Sequence, residues 1–249
     1  MVTDVLTGDA TNVAAATERL LVKDITPRLD PKVFVSSNAF RRQYLYTEEV
    51  NGVLRTHEGS LKHIFAGLAG RRTPLTGPLR KFASQLIGLA EWDAFMRAVG
   101  LVGPDVTERD LMLGFAWSRM CVIDGRTERG RLKETLCPFE GFLEALCRIA
   151  SLKALPTGEE IRDAGCRDAA RFFAMLRAHD EKKYLALLKE RATRWGSTPS
   201  QPLHRCVAHL IALILRAISM PKEHASELTV DTPTRVSASE VARWVQNFL

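Results

Sequence analysis

Apolar residues recur at helical spacing along most of the chain. Between Ser60, a candidate N-cap, and Gly70, a candidate stop, this spacing predicts a helix. Shorter helical segments are predicted upstream, over residues 37–45 and up to Leu54. The apolar face of the helix that starts at Ser60 consists of Leu61, Ile64, Phe65 and Leu68.

The second half of the chain is almost wholly helical in pattern. A helix over 107–120 is predicted to open with a Thr-Glu-Arg-Asp capping box and to carry Leu111, Met112 and Phe115 on one side. Candidates for strands are very short and lie near residues 86–87 and 135–137. The pattern therefore predicts a mainly α fold with at most one pair of single-bridge strands. Further helices are predicted over 139–149, 168–179, 180–195, 203–217 and 237–248.

Two parts of the chain repeat each other. Residues 89–99 match residues 136–146 at an offset of 47, and upstream of them residues 60–66 match residues 110–116 at an offset of 50. Each unit reads as helix, long loop, short aliphatic stretch and helix. One such unit cannot cover its own apolar face, so the repeat predicts two helix-loop-helix units that share a core.

This arrangement resembles the EF-hand, over residues 58–152. An EF-hand loop binds Ca²⁺ through oxygen ligands at alternating positions and a bidentate Glu at the twelfth. The first loop, from Gly70 to Leu89, has no carboxylate, and the second mixes its acids with four bases. Asp93 and Glu140 fall near the twelfth positions, but one acid alone cannot hold Ca²⁺. We therefore expect both loops to be free of metal.

A narrower resemblance lies in residues 139–153, which read Phe-Glu-Gly-Phe-Leu-Glu-Ala-Leu-Cys-Arg-Ile-Ala-Ser-Leu-Lys. This phrase is similar to a signature of degenerate, calcium-free EF-hand-like proteins of cilia and flagella. The linker 99–110 is distantly similar to the tubulin-polymerisation-promoting (p25-alpha) domain. The resemblance implies a calcium-independent, microtubule-associated structural protein of the axoneme that binds the doublet microtubule. A place inside the microtubule, as a microtubule inner protein, and a place outside it both stay open.

Composition agrees with a protein of the cytoplasm, and the resemblance implies a place in the cytoskeleton of a cilium or flagellum. The 249 residues include 35 basic and 29 acidic ones, a net charge of +6, which favours an acidic partner without choosing one. No apolar run approaches the ~20 residues of a membrane span, and the N-terminus lacks the pattern of a secretory signal. We expect no membrane partner. The five cysteines are scattered, as ordinary thiols of a reducing compartment are.

The basic residues of the two loops are the candidate partner-binding site. Their alternative interpretation is a solvated surface, and the sequence does not separate the two. Tubulin is the expected partner because of the resemblance, whereas nucleic acid would require stacking aromatics among the bases, and only Phe82 is near. A further basic pair lies at residues 41–42. The candidate residues are Arg71, Arg72, Arg80, Lys81, Arg126, Arg129, Arg131 and Lys133.

No catalytic or cofactor-binding pattern is found in the sequence. It has no Gly-x-Ser-x-Gly, no phosphate-binding loop and no cysteine with an evident base. His57 and His63 are six residues apart, and His204 and His209 five, which misses the i, i+4 spacing of two ligands on one helix face. The sequence therefore predicts a non-enzymatic protein without cofactor or metal.

We divide the chain into an extended N-terminal arm (1–35), a degenerate EF-hand-like pair (36–155) and a helical C-terminal region (156–249). The last helix carries an apolar stripe that serves either to cap the C-terminal region or to anchor a neighbouring protein. Two functional hypotheses remain: an axonemal microtubule-binding component, and an EF-hand-like regulatory module that binds a partner helix without a microtubule role. The stripe consists of Val241, Trp244, Val245 and Phe248.

Overall fold

The structure of the protein is a computed structural model, and its described part is mainly helical, as predicted. The chain divides into two compact units, Met1–Ser36 and Ser37–Leu249. In the described residues, pairing between extended segments is limited to one isolated β-bridge. The structure describes residues 13–28, 37–69, 77–220 and 231–248.

The described part of the first unit is helical. Helix α1 (Val13–Arg19) continues into a π-helical turn over Leu20–Ile25 and a 3-10 turn over Thr26–Arg28. Pro27 lies within this last turn, where its fixed φ is compatible with helical geometry. Residues 13–28 of the segment assigned to an extended arm are therefore helical, and the rest of that segment lies outside the described residues.

The second unit contains thirteen α-helices in its described residues. Most of the predicted helices are present with ends within a few residues of the expected ones. These helices are α2 (Ser37–Phe40), α3 (Glu48–Thr56), α4 (Glu58–Leu68), α5 (Gly77–Ala83), α6 (Leu89–Ala98), α7 (Glu108–Ser118), α8 (Glu128–Thr135), α9 (Phe139–Leu152), α10 (Gly158–Asp163), α11 (Ala169–His179), α12 (Glu181–Glu190), α13 (Leu203–Ser219) and α14 (Ala238–Phe248).

Side-chain caps explain where several of these helices begin. The capping box at Thr107 is confirmed, since its hydroxyl accepts from the Asp110 amide and the Asp110 carboxylate accepts from the Thr107 amide. Ser60 is not the cap of α4, which begins two residues earlier. The Ser60 hydroxyl instead accepts a hydrogen bond from the Val236 amide at 3.0 Å, so it holds a distant segment of the chain.

Helix α12 is shorter than predicted because long-range contacts redirect the chain after Glu190. The Arg191 guanidinium donates to both carboxylate oxygens of Glu160, at 2.8 and 2.5 Å. Four residues on, the Trp195 indole nitrogen donates to Asp110 at 2.7 Å. Local helical pattern gives no information on either contact.

A single antiparallel bridge joins the two repeated units. The backbone amide of Ile87 donates to the Cys137 carbonyl at 2.9 Å, and that of Cys137 donates to the Ile87 carbonyl at 2.7 Å. Both residues belong to the stretches predicted as short strands. Each lies two residues before the start of a helix, at Leu89 and at Phe139.

The structural offset between the units is 50, not 47. The bridged residues, the starts of α4 and α7, and the starts of α6 and α9 are all separated by 50 residues. The alignment of Phe95 with Phe142 is therefore wrong by three residues. A shift of three residues is close to one helical turn and keeps a side chain near the same face, which is why the apolar pattern matched in both registers.

The predicted shared core is present between the units. Trp92, Phe95 and Phe142 are fully buried, and the ring centroids of Phe95 and Phe142 lie 6.1 Å apart. The Trp92 indole donates to the Leu111 carbonyl at 3.1 Å, which satisfies the one polar atom of this side chain. Met112 was expected to share the apolar side of α7, but 49% of it is exposed.

The C-terminal region packs into the same core. Helix α13 lies against α9 and α3, and α14 lies against α4. Trp244 meets Phe95 edge to face, with 6.0 Å between the ring centroids. The predicted boundary between residues 155 and 156 therefore lies inside one packed unit. Among the described residues, α14 packs on the first repeat unit and also contacts α13 of the C-terminal region; the Phe248 side chain lies outside the described part.

A buried ion cluster ties the beginning of the second compact unit, near Arg41, to helix α9 at its centre. Glu144 on α9 accepts hydrogen bonds from Nε of Arg148 and from Nε of Arg41, both at 2.9 Å. Arg148 is 1% exposed, and its guanidinium carbon lies 4.6 Å from the Phe40 ring centroid and 6.0 Å from that of Trp117. Arg41, the other arginine bound to Glu144, also donates to the Trp117 carbonyl at 3.1 Å. Arg41 is thus half-buried and tied to Glu144, whereas its neighbour Arg42 is exposed.

We expect Phe95→Ala and Phe142→Ala each to lower the free energy of unfolding by about 3–5 kcal/mol, because both rings are fully buried. Urea unfolding followed by circular dichroism measures the change. Met112→Ala, on the exposed side of α7, serves as the control and should change stability by no more than about 0.5 kcal/mol. Phenylalanine variants as stable as this control would contradict the shared core.

Glu144→Gln should cost about 3–5 kcal/mol, because it leaves the buried Arg148 without its counter-charge. The double variant Glu144→Gln/Arg148→Met should recover part of this loss, because it removes the uncompensated buried charge as well. Urea unfolding of both variants tests the coupling. Additive effects of the two substitutions would show that the ion pair does not carry the penalty.

Candidate functional site: a basic face on two linker helices

Each repeat unit has a short helix between its two longer helices. Helix α5 precedes the bridged residue Ile87, and α8 precedes Cys137. These helices occupy the part of each unit where an EF-hand would have its ion-binding loop. Residues 70–76 lie outside the described part, and with them the predicted site residues Arg71 and Arg72.

The start of α8 is tightly determined. Thr127 is its N-cap, and the Thr127 hydroxyl accepts from the Gly130 amide at 2.9 Å. The Thr127 amide donates to the Asp124 carbonyl, also at 2.9 Å. A Cβ atom at Gly130 would lie 1.9 Å from the Asp124 carbonyl oxygen, so only glycine fits there. The loop before α8 is consequently locked against the first turn of the helix.

The two linker helices pack against each other. The guanidinium carbon of Arg129 on α8 lies 5.7 Å from the ring centroid of Phe82 on α5. This contact half-buries Phe82 and covers the one aromatic ring that the sequence offered for stacking on a nucleic-acid base. The packing of α5 on α8 thus brings two basic segments that are about 45 residues apart in sequence next to each other, and we call the exposed bases of these segments the basic face. Its described residues are Arg80, Lys81, Arg126, Arg129, Arg131 and Lys133, all exposed.

The basic face has a moderate positive charge. Its six bases are accompanied by three acids, Asp124, Glu128 and Glu134, which gives a net charge of +3. Within the described residues none of the six bases forms an ion pair, whereas Arg41, Arg148, Lys153 and Arg191 all do. The face can therefore engage an acidic partner without first breaking internal salt bridges.

One part of this region was not predicted from the sequence, an apolar loop tip. Ile123 is fully exposed and Met120 is 65% exposed, in the loop that leads to α8. The sequence does carry a signal for it, because four apolar residues, 120–123, stand between Arg119 and Asp124, at the end of a predicted helix and the start of a predicted loop. Such a run in a loop calls for an explanation other than the core.

Of the histidines considered as metal ligands, His63 and His57 contact the segment that precedes α14. Nδ1 of His63 lies 3.1 Å from the Val236 carbonyl, and burial lowers the pKa of His57, which is next to the same segment. Burial likewise lowers the pKa of His209 on α13. In the described residues no three His, Cys, Asp or Glu side chains are grouped closely enough to hold a metal ion.

The carboxylates near the EF-hand positions interact with the protein itself. Asp93 accepts from Nε of Arg97 at 2.7 Å, and Asp124 accepts from the Thr127 hydroxyl at 3.3 Å. Burial raises the pKa of Cys137, at the bridge, to about 12, so this thiol stays protonated at neutral pH.

Comparisons with known proteins identify no relative: no protein-family model, no curated protein and no solved structure matches this chain. Across the described ranges, no helix combines the length and the apolar character needed to cross a membrane.

We expect calcium not to bind specifically to this protein. The two linkers hold short helices in place of ligand loops, and Asp93 and Asp124 are engaged by their own neighbours. Titration calorimetry with millimolar Ca²⁺ should give only the heat of dilution, beside a calcium-binding EF-hand protein as positive control. A saturable site with a micromolar dissociation constant would contradict this expectation.

Proposed function

We propose that this protein is a non-enzymatic structural component of the ciliary or flagellar axoneme. In this proposal it binds the doublet microtubule and neighbouring axonemal proteins, independently of calcium, with the basic face against acidic tubulin. The observation that carries the proposal is the packing against each other of two short helices with exposed bases. The similarity of residues 139–153 to calcium-free EF-hand-like ciliary proteins supplies the choice of partner.

We also propose that residues 58–152 form a degenerate EF-hand pair. Two features support it: the reciprocal bridge between Ile87 and Cys137, and the constant offset of 50 between equivalent helix starts. In a calcium-binding pair the loop is ordered by its ion, whereas here a helix and the cap at Thr127 supply that order. Such a pair is ordered without an ion, as a permanent structural component requires.

The chemistry of the basic face favours an acidic protein over a nucleic acid. A nucleic-acid surface combines bases with exposed aromatic rings, but Phe82 is covered by Arg129. The three interspersed acids would also repel a polyphosphate backbone, while a protein surface with mixed charges can accommodate them.

The alternative function, binding of a partner helix in an open groove, meets an obstacle in the structure. The place for such a helix is taken by α14 of the same chain. Trp244 packs on Phe95, and the Val241 side chain lies 3.0 Å from where a Cβ atom of Gly67 would be. A partner helix would first have to displace this intramolecular contact, which buries three large side chains.

Reversal of four bases on the basic face to Glu should weaken microtubule binding about tenfold or more, because each lost attraction becomes a repulsion. Stability should change little, because all four are exposed. Binding of the unmodified protein should fall with added salt, which screens exposed charges beyond ~10 Å at 0.1 M. Co-sedimentation with microtubules measures both effects. The four substitutions are Arg80→Glu, Lys81→Glu, Arg131→Glu and Lys133→Glu.

The matched control reverses four exposed bases away from this face and changes the net charge equally. It should bind like the unmodified protein. Equal loss of binding in both variants would assign the effect to total charge, and unchanged binding in both would remove the basic face from the contact. Absence of the protein from axonemes of detergent-extracted ciliated cells would contradict the proposed location. The control substitutions are Arg162→Glu, Lys182→Glu, Lys183→Glu and Lys189→Glu.

A further inference from the structure

The loop between α7 and α8 presents an apolar tip beside the basic face. Ile123 is fully exposed and Met120 is 65% exposed, with the exposed Cys121 and the half-buried Val122 between them. Single exposed apolar residues are common on protein surfaces, but a run of four in a loop is not. A patch of this kind, rimmed by polar residues, is typical of an interaction site.

This tip is held in place from both sides. Before it, the Arg119 guanidinium donates to the carbonyl of Glu134 on α8. After it, the Asp124 carbonyl accepts from both the amide and the hydroxyl of Thr127, at 2.9 and 3.0 Å, and lies against Gly130. Ile123 therefore projects from an ordered loop. An ordered loop loses less conformational entropy when it binds than a flexible one.

We propose that Ile123, supported by Met120, is the apolar anchor of the protein–protein contact made by the basic face. This inference rests on the proposed function and adds to it: the acidic partner surface, here the microtubule wall, must offer an apolar hollow next to its acidic groups. The arrangement matches the general anatomy of interfaces, in which a buried apolar centre is surrounded by a charged rim. The bases supply the rim, and Ile123 fills the hollow.

The charges around the tip favour a protein partner over a lipid bilayer. Asp124 follows Ile123 directly, so insertion of Ile123 among acyl chains would bring that carboxylate to the anionic headgroups. A membrane-inserting loop typically carries bases at this depth. On a protein, Asp124 can remain at the solvated edge of the contact, where its oxygen already accepts from Thr127.

The experiment compares Ile123→Ser with the unmodified protein in microtubule co-sedimentation at several salt concentrations. Loss of a buried isoleucine side chain should weaken binding about tenfold or more. The slope of the salt dependence should stay unchanged, since no charge is altered. Ile123→Leu should restore most of the binding. Leu185→Ser, on the exposed side of α12, is the matched control and should stay within about twofold of the unmodified protein.

The possible results distinguish a failure of the apolar anchor from a failure of the proposed function. If Ile123→Ser binds like Leu185→Ser while reversal of the four bases abolishes binding, the apolar anchor is overturned and the proposed function stands. If the unmodified protein does not bind microtubules at all, both are overturned. Binding to vesicles of phosphatidylserine that is lost in Ile123→Ser, with no binding to microtubules, would overturn the protein partner and assign the tip to a membrane. Equal thermal unfolding midpoints of the variants exclude misfolding as the cause.

Discussion

The buried carboxylate of Glu144 is the constraint on which the arrangement of this fold depends. Arg148 is almost completely buried between the rings of Phe40 and Trp117, and it requires a counter-charge there. Glu144 supplies it and also binds Arg41, which ties the segment before α3 to the centre of α9. Such a cluster is costly to break rather than strongly stabilising when intact, so its main effect is to exclude other placements of these elements.

Elements determined by local sequence were predicted well. The capping box at Thr107 and the apolar periodicity of α9 are short-range signals, and the two short stretches that form the bridge were predicted as strand candidates from the pattern along the chain. The register of the repeat was mistaken by three residues, because the helical period makes such a shift nearly invisible in apolar pattern alone. The bridge between Ile87 and Cys137 removes that ambiguity, since backbone pairing admits one register only.

Contacts between distant segments could not be predicted in the same way. The i, i+4 spacing of Glu144 and Arg148 signals an ion pair on a helix, but nothing local relates Glu144 to Arg41, 103 residues away. The same holds for Ser60 and Val236, and for the position of α14 on the first unit. The exposed bases of the basic face were identified from the sequence. The packing of α5 on α8, which brings its two segments together, could not be predicted from it.

If this face binds an acidic partner as proposed, its charged and apolar residues have two different physical roles. Exposed and unpaired bases attract an acidic partner at a distance and raise the rate of encounter, but salt screens them and each contributes little once bound. A projecting isoleucine has no long-range effect, yet its burial resists salt and slows dissociation. In the proposed function the protein persists in its assembly, so its rate of dissociation matters more than its rate of encounter. For this reason the proposal assigns the lifetime of the bound state to Ile123 and Met120, and not to the larger number of charges around them.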